Sequence, residues 1–262
     1  MSTADAPPSY SRYERVYLVL AATFVVLLIL TNVVGAKLFA SPLHADWALT
    51  TGILTYPFTF LVTDLVSEIY GKRRADFMVL LGFVLSFFML GVLWVAQSVP
   101  AHPAWASGGF YTDGWIAGAG RPPGDATQGY QHAFESVFAV NGVLLFGSML
   151  AYMVAQLTDN WLFHFWKRLT HGRHLWLRNN GSTWISQLLD TAIVNSILFY
   201  VGFGMELWTG VWIMLTIYLH KLILAVLDTP MIYLGVWLIR RVLADELDAE
   251  GRLVGVDGEV TR

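Results

Sequence analysis

Long apolar runs recur through nearly the whole chain, at roughly 16–40, 47–71, 76–98, 134–166, 183–204 and 211–240. A bilayer core about 30 Å thick needs about 20 apolar residues to cross it as a helix, and each run reaches that length. A period-two alternation of apolar and polar residues, the mark of a membrane β-barrel, is missing from them. The expected fold is therefore all-α: a polytopic integral membrane protein built as a six-transmembrane-helix bundle. The bundle occupies 16–240, between a flexible cytoplasmic tail at 1–15 and a second cytoplasmic tail at 241–262. Apolar residues make up 56% of the chain and charged residues 13%, so membrane lipid is its solvent and first partner. The first run is longer than the apolar region of a signal peptide and reads as an uncleaved helix. The fourth and sixth runs are long enough to tilt or protrude, and Pro57 and Pro230 mark candidate kinks.

Charge sets the orientation. Thirteen of the sixteen Lys and Arg fall beside one set of span ends, against Arg121 alone on the other side, with Lys37 and Lys221 inside spans. The positive-inside rule places that basic side, and both termini, in the cytoplasm. The loop at about 99–133, rich in Gly and Pro and carrying Trp105 and Trp115, then lies outside, as an interfacial loop or a lid. The net charge of −3 and the scattered basic residues give no stripe for nucleic acid. The chain has no Cys, which excludes disulfides and thiolate metal sites, and no cofactor or metal is expected.

Seven ionisable residues interrupt the apolar runs: Lys37, Asp64, Glu68, Asp159, Asp190, Lys221 and Asp228. Each costs at least ~2.5–3.5 kcal/mol in hydrocarbon, so each should turn toward protein or water. Helical spacing groups them with other polar or aromatic residues. Phe60, Asp64 and Glu68 follow at i, i+4 and i+8; Ser148, Tyr152, Gln156 and Asp159 form a stripe; Trp184, Gln187, Asp190, Thr191 and Asn195 share a face. Lys221 and Asp228 stand two turns apart. Counting about 1.5 Å per residue from the basic span ends puts the four aspartates between the cytoplasmic interface and the midplane. Five acids cannot all be neutralised by two bases in the membrane, so the excess is read as binding a donor-rich ligand, a cation or protons. The alternative is a set of buried ion pairs and helix-to-helix hydrogen bonds that only specify packing, with Asn32 as one bridge and Asp159 and Glu68 as interfacial salt bridges. Thr63-Asp64 and Thr158-Asp159 each stand eight residues before a Lys-Arg pair or run, an echo compatible with duplication or with chance.

In order, the stretches TNVVGAK at 31–37, YPFTFLVTDLVSEIYGKRRA at 56–75, AYMVAQLTDNWLFHFWKR at 151–168, WLRNNGSTWISQLLDTAIVNSILF at 176–199 and KLILAVLDTPMIYLG at 221–235 resemble the queuosine precursor transporter family, grouped with the vitamin uptake transporters. The resemblance implies uptake, across the bacterial inner membrane, of 7-cyano-7-deazaguanine or 7-aminomethyl-7-deazaguanine, precursors of a modified tRNA base. The third span and the long outer loop depart from it. The residues suit such a ligand. A carboxylate accepts two adjacent ring donors, Gln, Asn or Lys meets the oxo group, and aromatic rings stack on the flat base. The expected site has Asp64 or Asp190 on the N–H edge, Gln187 and Asn195 beside it, with Asn32 within reach, and Phe60 or Trp184 stacking. Lys221 and Asp228 pair in the empty state, while Glu68, with Lys37 and Asp159, supplies gating ion pairs. Oligomeric state is left open, a homodimer included.

Two other functions compete with a self-sufficient carrier. A ligand-capturing membrane subunit of an ATP-driven vitamin transporter is one; the chain itself has no Walker motif. An intramembrane enzyme is the other, suggested by Ser182-Thr183 beside Asn179-Asn180. No zinc-protease or nucleophile-elbow motif accompanies them, and RNNGST is read as the capped start of a helix.

Overall fold

The computed structural model describes residues 11–34, 38–41, 48–102, 134, 135, 138, 142–202 and 204–246. Lys37, Trp105, Trp115, Arg121 and the outermost tail residues lie outside the described residues, as does the side chain of Ser148. The described chain is almost wholly helical: α1 (Arg12–Val34), α2 (Tyr56–Ile69), α3 (Lys72–Ser98), α4 (Gly142–Leu169), α5 (Leu175–Ser196) and α6 (Leu207–Val242). α1, α3 and α6 are each long and apolar enough to cross a membrane alone. α2, α4 and α5 carry the buried polar residues. On α5 every buried residue except Leu175 is polar, as expected of a helix whose polar groups must be satisfied by protein rather than by lipid.

The second expected span takes a composite form. A short antiparallel pair of strands, β1 (Leu38–Ala40) and β2 (Ala48–Thr50), pairs Phe39 with Leu49. A 3-10 turn at Thr51–Leu54 follows, and only then the 14-residue α2. At about 1.5 Å per residue α2 rises about 21 Å, less than a bilayer core. An apolar run fixes burial, not conformation, so hydropathy alone could not separate strand, turn and helix here. Pro57 falls in the first turn of α2, where its missing N–H costs nothing, and so starts the helix instead of kinking it. Pro230 does lie inside a continuous helix.

The fifth helix begins eight residues before the apolar run, at Leu175. RNNGST is therefore inside α5 and not its start. The turn from α4 is tight, with His171, Gly172 and His174 all at positive φ. Gly71, at φ 81, makes the corresponding turn from α2 into α3.

One end of the bundle gathers the basic residues. There Glu246 accepts the backbone N–H groups of Arg12 and Tyr13, each at 2.9 Å, so a carboxylate from beyond α6 caps the positive end of α1. Arg74 lies against the rings of Tyr13, Tyr17 and Tyr70 and grips both oxygens of Glu14. The Tyr70 hydroxyl donates to the Tyr13 carbonyl at 3.0 Å. The apolar core between α1, α2 and α3 centres on Phe24, Val66 and Met78. Gly82 lets α3 approach closely, since a Cβ there would stand 2.7 Å from Phe24. A second core joins α2, α4 and α6 through Leu65, Phe163 and Ile232.

Candidate functional site

α2 and α4 run in the same direction through the centre. Thr63 donates to Gln156 at 3.1 Å and Ser67 to Asn160 at 3.2 Å, four residues on in both helices. Successive turns of α2 then present Tyr56, Phe60, Asp64 and Glu68 down one face, a spacing that helical geometry dictates. These turns define three levels.

The first level is a narrow cavity, open on one side. α2 contributes Tyr56, Pro57 and Phe60, α5 contributes Thr183 and Gln187, and α6 contributes Lys221, Leu224, Ala225 and Asp228. As it stands the space admits little more than a water, so a ligand the size of a base enters only when the surrounding helices separate. The rings of Tyr56, Phe60 and Tyr152 cluster at centroid distances of 5.1–6.2 Å. Lys221 bonds Asp190 at 2.6 Å and lies 4.5 Å from the centre of the Tyr56 ring. Asp228 is half-buried, and among the described residues no cation or hydrogen-bond donor meets it. The expected Lys221–Asp228 pair is thus corrected. Two turns on one helix separate these residues by about 10 Å, whereas Asp190 on α5 faces the ammonium directly.

The second level holds Asp64, 1% exposed, and Asp159, 0% exposed, within hydrogen-bonding reach of each other. Ser186 donates to Asp159 Oδ1 at 2.8 Å, with Ser182 and Thr183 alongside. Asp159 Oδ2 and both oxygens of Asp64 make no hydrogen bond. Neither residue lines the cavity. Asp159, expected as an ion-pair member, has no cationic partner among the described residues, because the neighbouring cations serve other carboxylates.

The third level is Glu68. Its carboxylate takes Lys167 of α4 at 2.9 Å, Arg178 of α5 at 3.2 Å and Arg240 of α6 at 3.2 Å. Arg178, only 2% exposed, also lies over Phe163.

Other expected site residues stand apart. Trp184 is 42% exposed on the outer face of α5, where its carbonyl accepts the Tyr218 hydroxyl, so it is no stacking partner in the cavity. Asn195 donates to Thr191 within its own helix, the role of a local packing contact. Asn32 is half-buried on α1 with its amide nitrogen unpaired. Asn180, for its part, bridges α5 to Thr229 of α6 at 2.7 Å.

Sequence reasoning missed Tyr56 and Arg178. Tyr56 continues the Phe60, Asp64, Glu68 stripe by one turn, and extending that count would have found it. Arg178 was grouped with loop cations because the helix start was sought where apolar residues begin.

Residues 50–235 match the family model described as "Putative vitamin uptake transporter". The chain is also 30% identical over 189 residues, 70% of each chain, to a Bacillus subtilis (strain 168) protein named "Probable queuosine precursor transporter". No solved structure matches.

Proposed function

This chain belongs to the vitamin uptake transporter family, and we propose that within it the chain imports queuosine precursors, 7-cyano-7-deazaguanine or 7-aminomethyl-7-deazaguanine. It is a membrane transporter and not an enzyme. The proposed topology has six crossings, with the Glu68 end and both termini in the cytoplasm. The one-sided distribution of Lys and Arg supports it.

The observation that carries the substrate reading is the cavity wall. Its lining brings the rings of Phe60 and Tyr56 together with the Asp228 carboxylate and the Gln187 amide. A flat purine-like ring placed between them would stack on the aromatics, give its two adjacent N–H donors to the Asp228 carboxylate and receive a bond at its oxo group from the Gln187 amide. Asp190 and Lys221, held together beside Tyr56, would fix the far edge. The carboxylate in contact with the base is then Asp228, and Asp64 stands one turn below the site. Glu68 would close the cytoplasmic end while substrate occupies the cavity.

Cells unable to make the precursor supply the test. Expression of this chain should restore the queuosine modification of tRNA from precursor added outside, and an absence of modified tRNA despite membrane insertion would reject the substrate.

A further inference from the structure

Asp64 and Asp159 are unexplained by the cavity, since neither lines it. They are held against each other by the parallel packing of α2 on α4, which the Thr63–Gln156 and Ser67–Asn160 bonds fix in register. The groups around them come from every neighbouring helix. α5 turns Ser182, Thr183 and Ser186 toward Asp159, the charge of Asp228 on α6 reaches Asp64, and Glu68 lies one turn along α2. The cations of this region are committed elsewhere: Lys167, Arg178 and Arg240 to Glu68, and Lys221 to Asp190. Two buried like charges in contact, with three oxygens lacking any donor, would carry the desolvation cost of both ions together with their mutual repulsion. One proton between the oxygens removes one charge and supplies the missing donor.

We propose that Asp64 and Asp159 share one proton and form the coupling site of the carrier, distinct from the substrate cavity. The pair is linked to the cavity lining by one neighbour and by one charge. Thr183 lines the cavity and sits beside Asp159, while Asp228 lines the cavity within the range at which its charge acts on Asp64. Substrate donors that occupy Asp228 withdraw negative charge from beside Asp64, and so change the affinity of the pair for its proton. Linkage makes the effect reciprocal.

The proton itself is tested without substrate. Infrared difference spectra of the purified protein in lipid, titrated from acid to alkaline pH, should show a protonated-carboxyl carbonyl band that persists at neutral pH. The band should vanish in both Asp64→Asn and Asp159→Asn and survive in Asp64→Glu, which keeps an acid in place. A band unchanged in both Asn variants, or sodium-dependent thermal stabilisation with no such band, overturns the proposal. Coupling rests additionally on the import reading. In proteoliposomes an inside-alkaline gradient of one pH unit should raise accumulation of an uncharged precursor about tenfold for one proton carried per substrate. Precursor exchange in wild type with no gradient effect rejects coupling, whereas absence of exchange altogether, with the carboxyl band present, rejects the substrate and leaves the proton site standing.

Discussion

Lys221 and Asp190 meet at 2.6 Å across the α5–α6 contact, with the ammonium against the face of Tyr56 and both side chains largely buried. Such a pair specifies how two helices dock, because either charge alone would be stranded.

Removing one member should therefore cost far more than removing both. Lys221→Met or Asp190→Asn is expected to lower stability by about 3–5 kcal/mol, and Lys221→Met with Asp190→Leu to recover most of it. Thermal unfolding in detergent gives the cycle. Losses that simply add would show the pair to be energetically idle. Asp190→Asn should also abolish uptake while protein remains in the membrane.

Asp228→Asn replaces a free, half-buried carboxylate on the cavity wall. A hydrogen bond to a charged group contributes about 1.5–3 kcal/mol, so precursor affinity should fall roughly 10- to 100-fold with little change in stability. Equilibrium binding to purified protein measures it, and an unaltered Kd would remove Asp228 from the site.

At the basic end the ranking of substitutions follows burial. Glu68→Gln strands Arg178, which is 2% exposed, and should be the most destabilising. Arg178→Ala leaves Glu68 two other cations and should be milder. Arg240→Ala removes a cation whose side chain is 55% exposed, worth about 0–1 kcal/mol. Melting temperatures of the three variants check the order.

Gly82→Ala puts a methyl 2.7 Å from a ring atom of the fully buried Phe24. Overpacking of this kind costs about 1–3 kcal/mol, and a lowered melting temperature with unchanged precursor affinity is expected.

Hydropathy read the lipid-facing surface of this protein well and its centre less well. α3 and α6 stand close to their expected places because nearly all of their residues are apolar, whereas the first run, expected as helix to residue 40, gives α1 only to Val34 and then strand β1 at Leu38–Ala40. α5 begins earlier than its apolar run because its first turns, from Arg178 to Ser182, are buried against protein and need no apolar side chains. For the same reason Arg178 looked like a loop residue. The stripes of polar residues were legible because a period of 3.6 is fixed by the backbone. Partner choice was not, since Lys221 found Asp190 on a neighbouring helix through tertiary packing that spacing along one chain does not encode.

Three helices reach Glu68, and each does so through its own cation. Withdrawing α4, α5 or α6 singly leaves two cations on the carboxylate and relieves some of their mutual repulsion. Giving up the carboxylate itself frees all three at once. One carboxylate on α2 thus fastens three other helices at this end, so its loss unties all of them while the loss of any one cation unties a single helix.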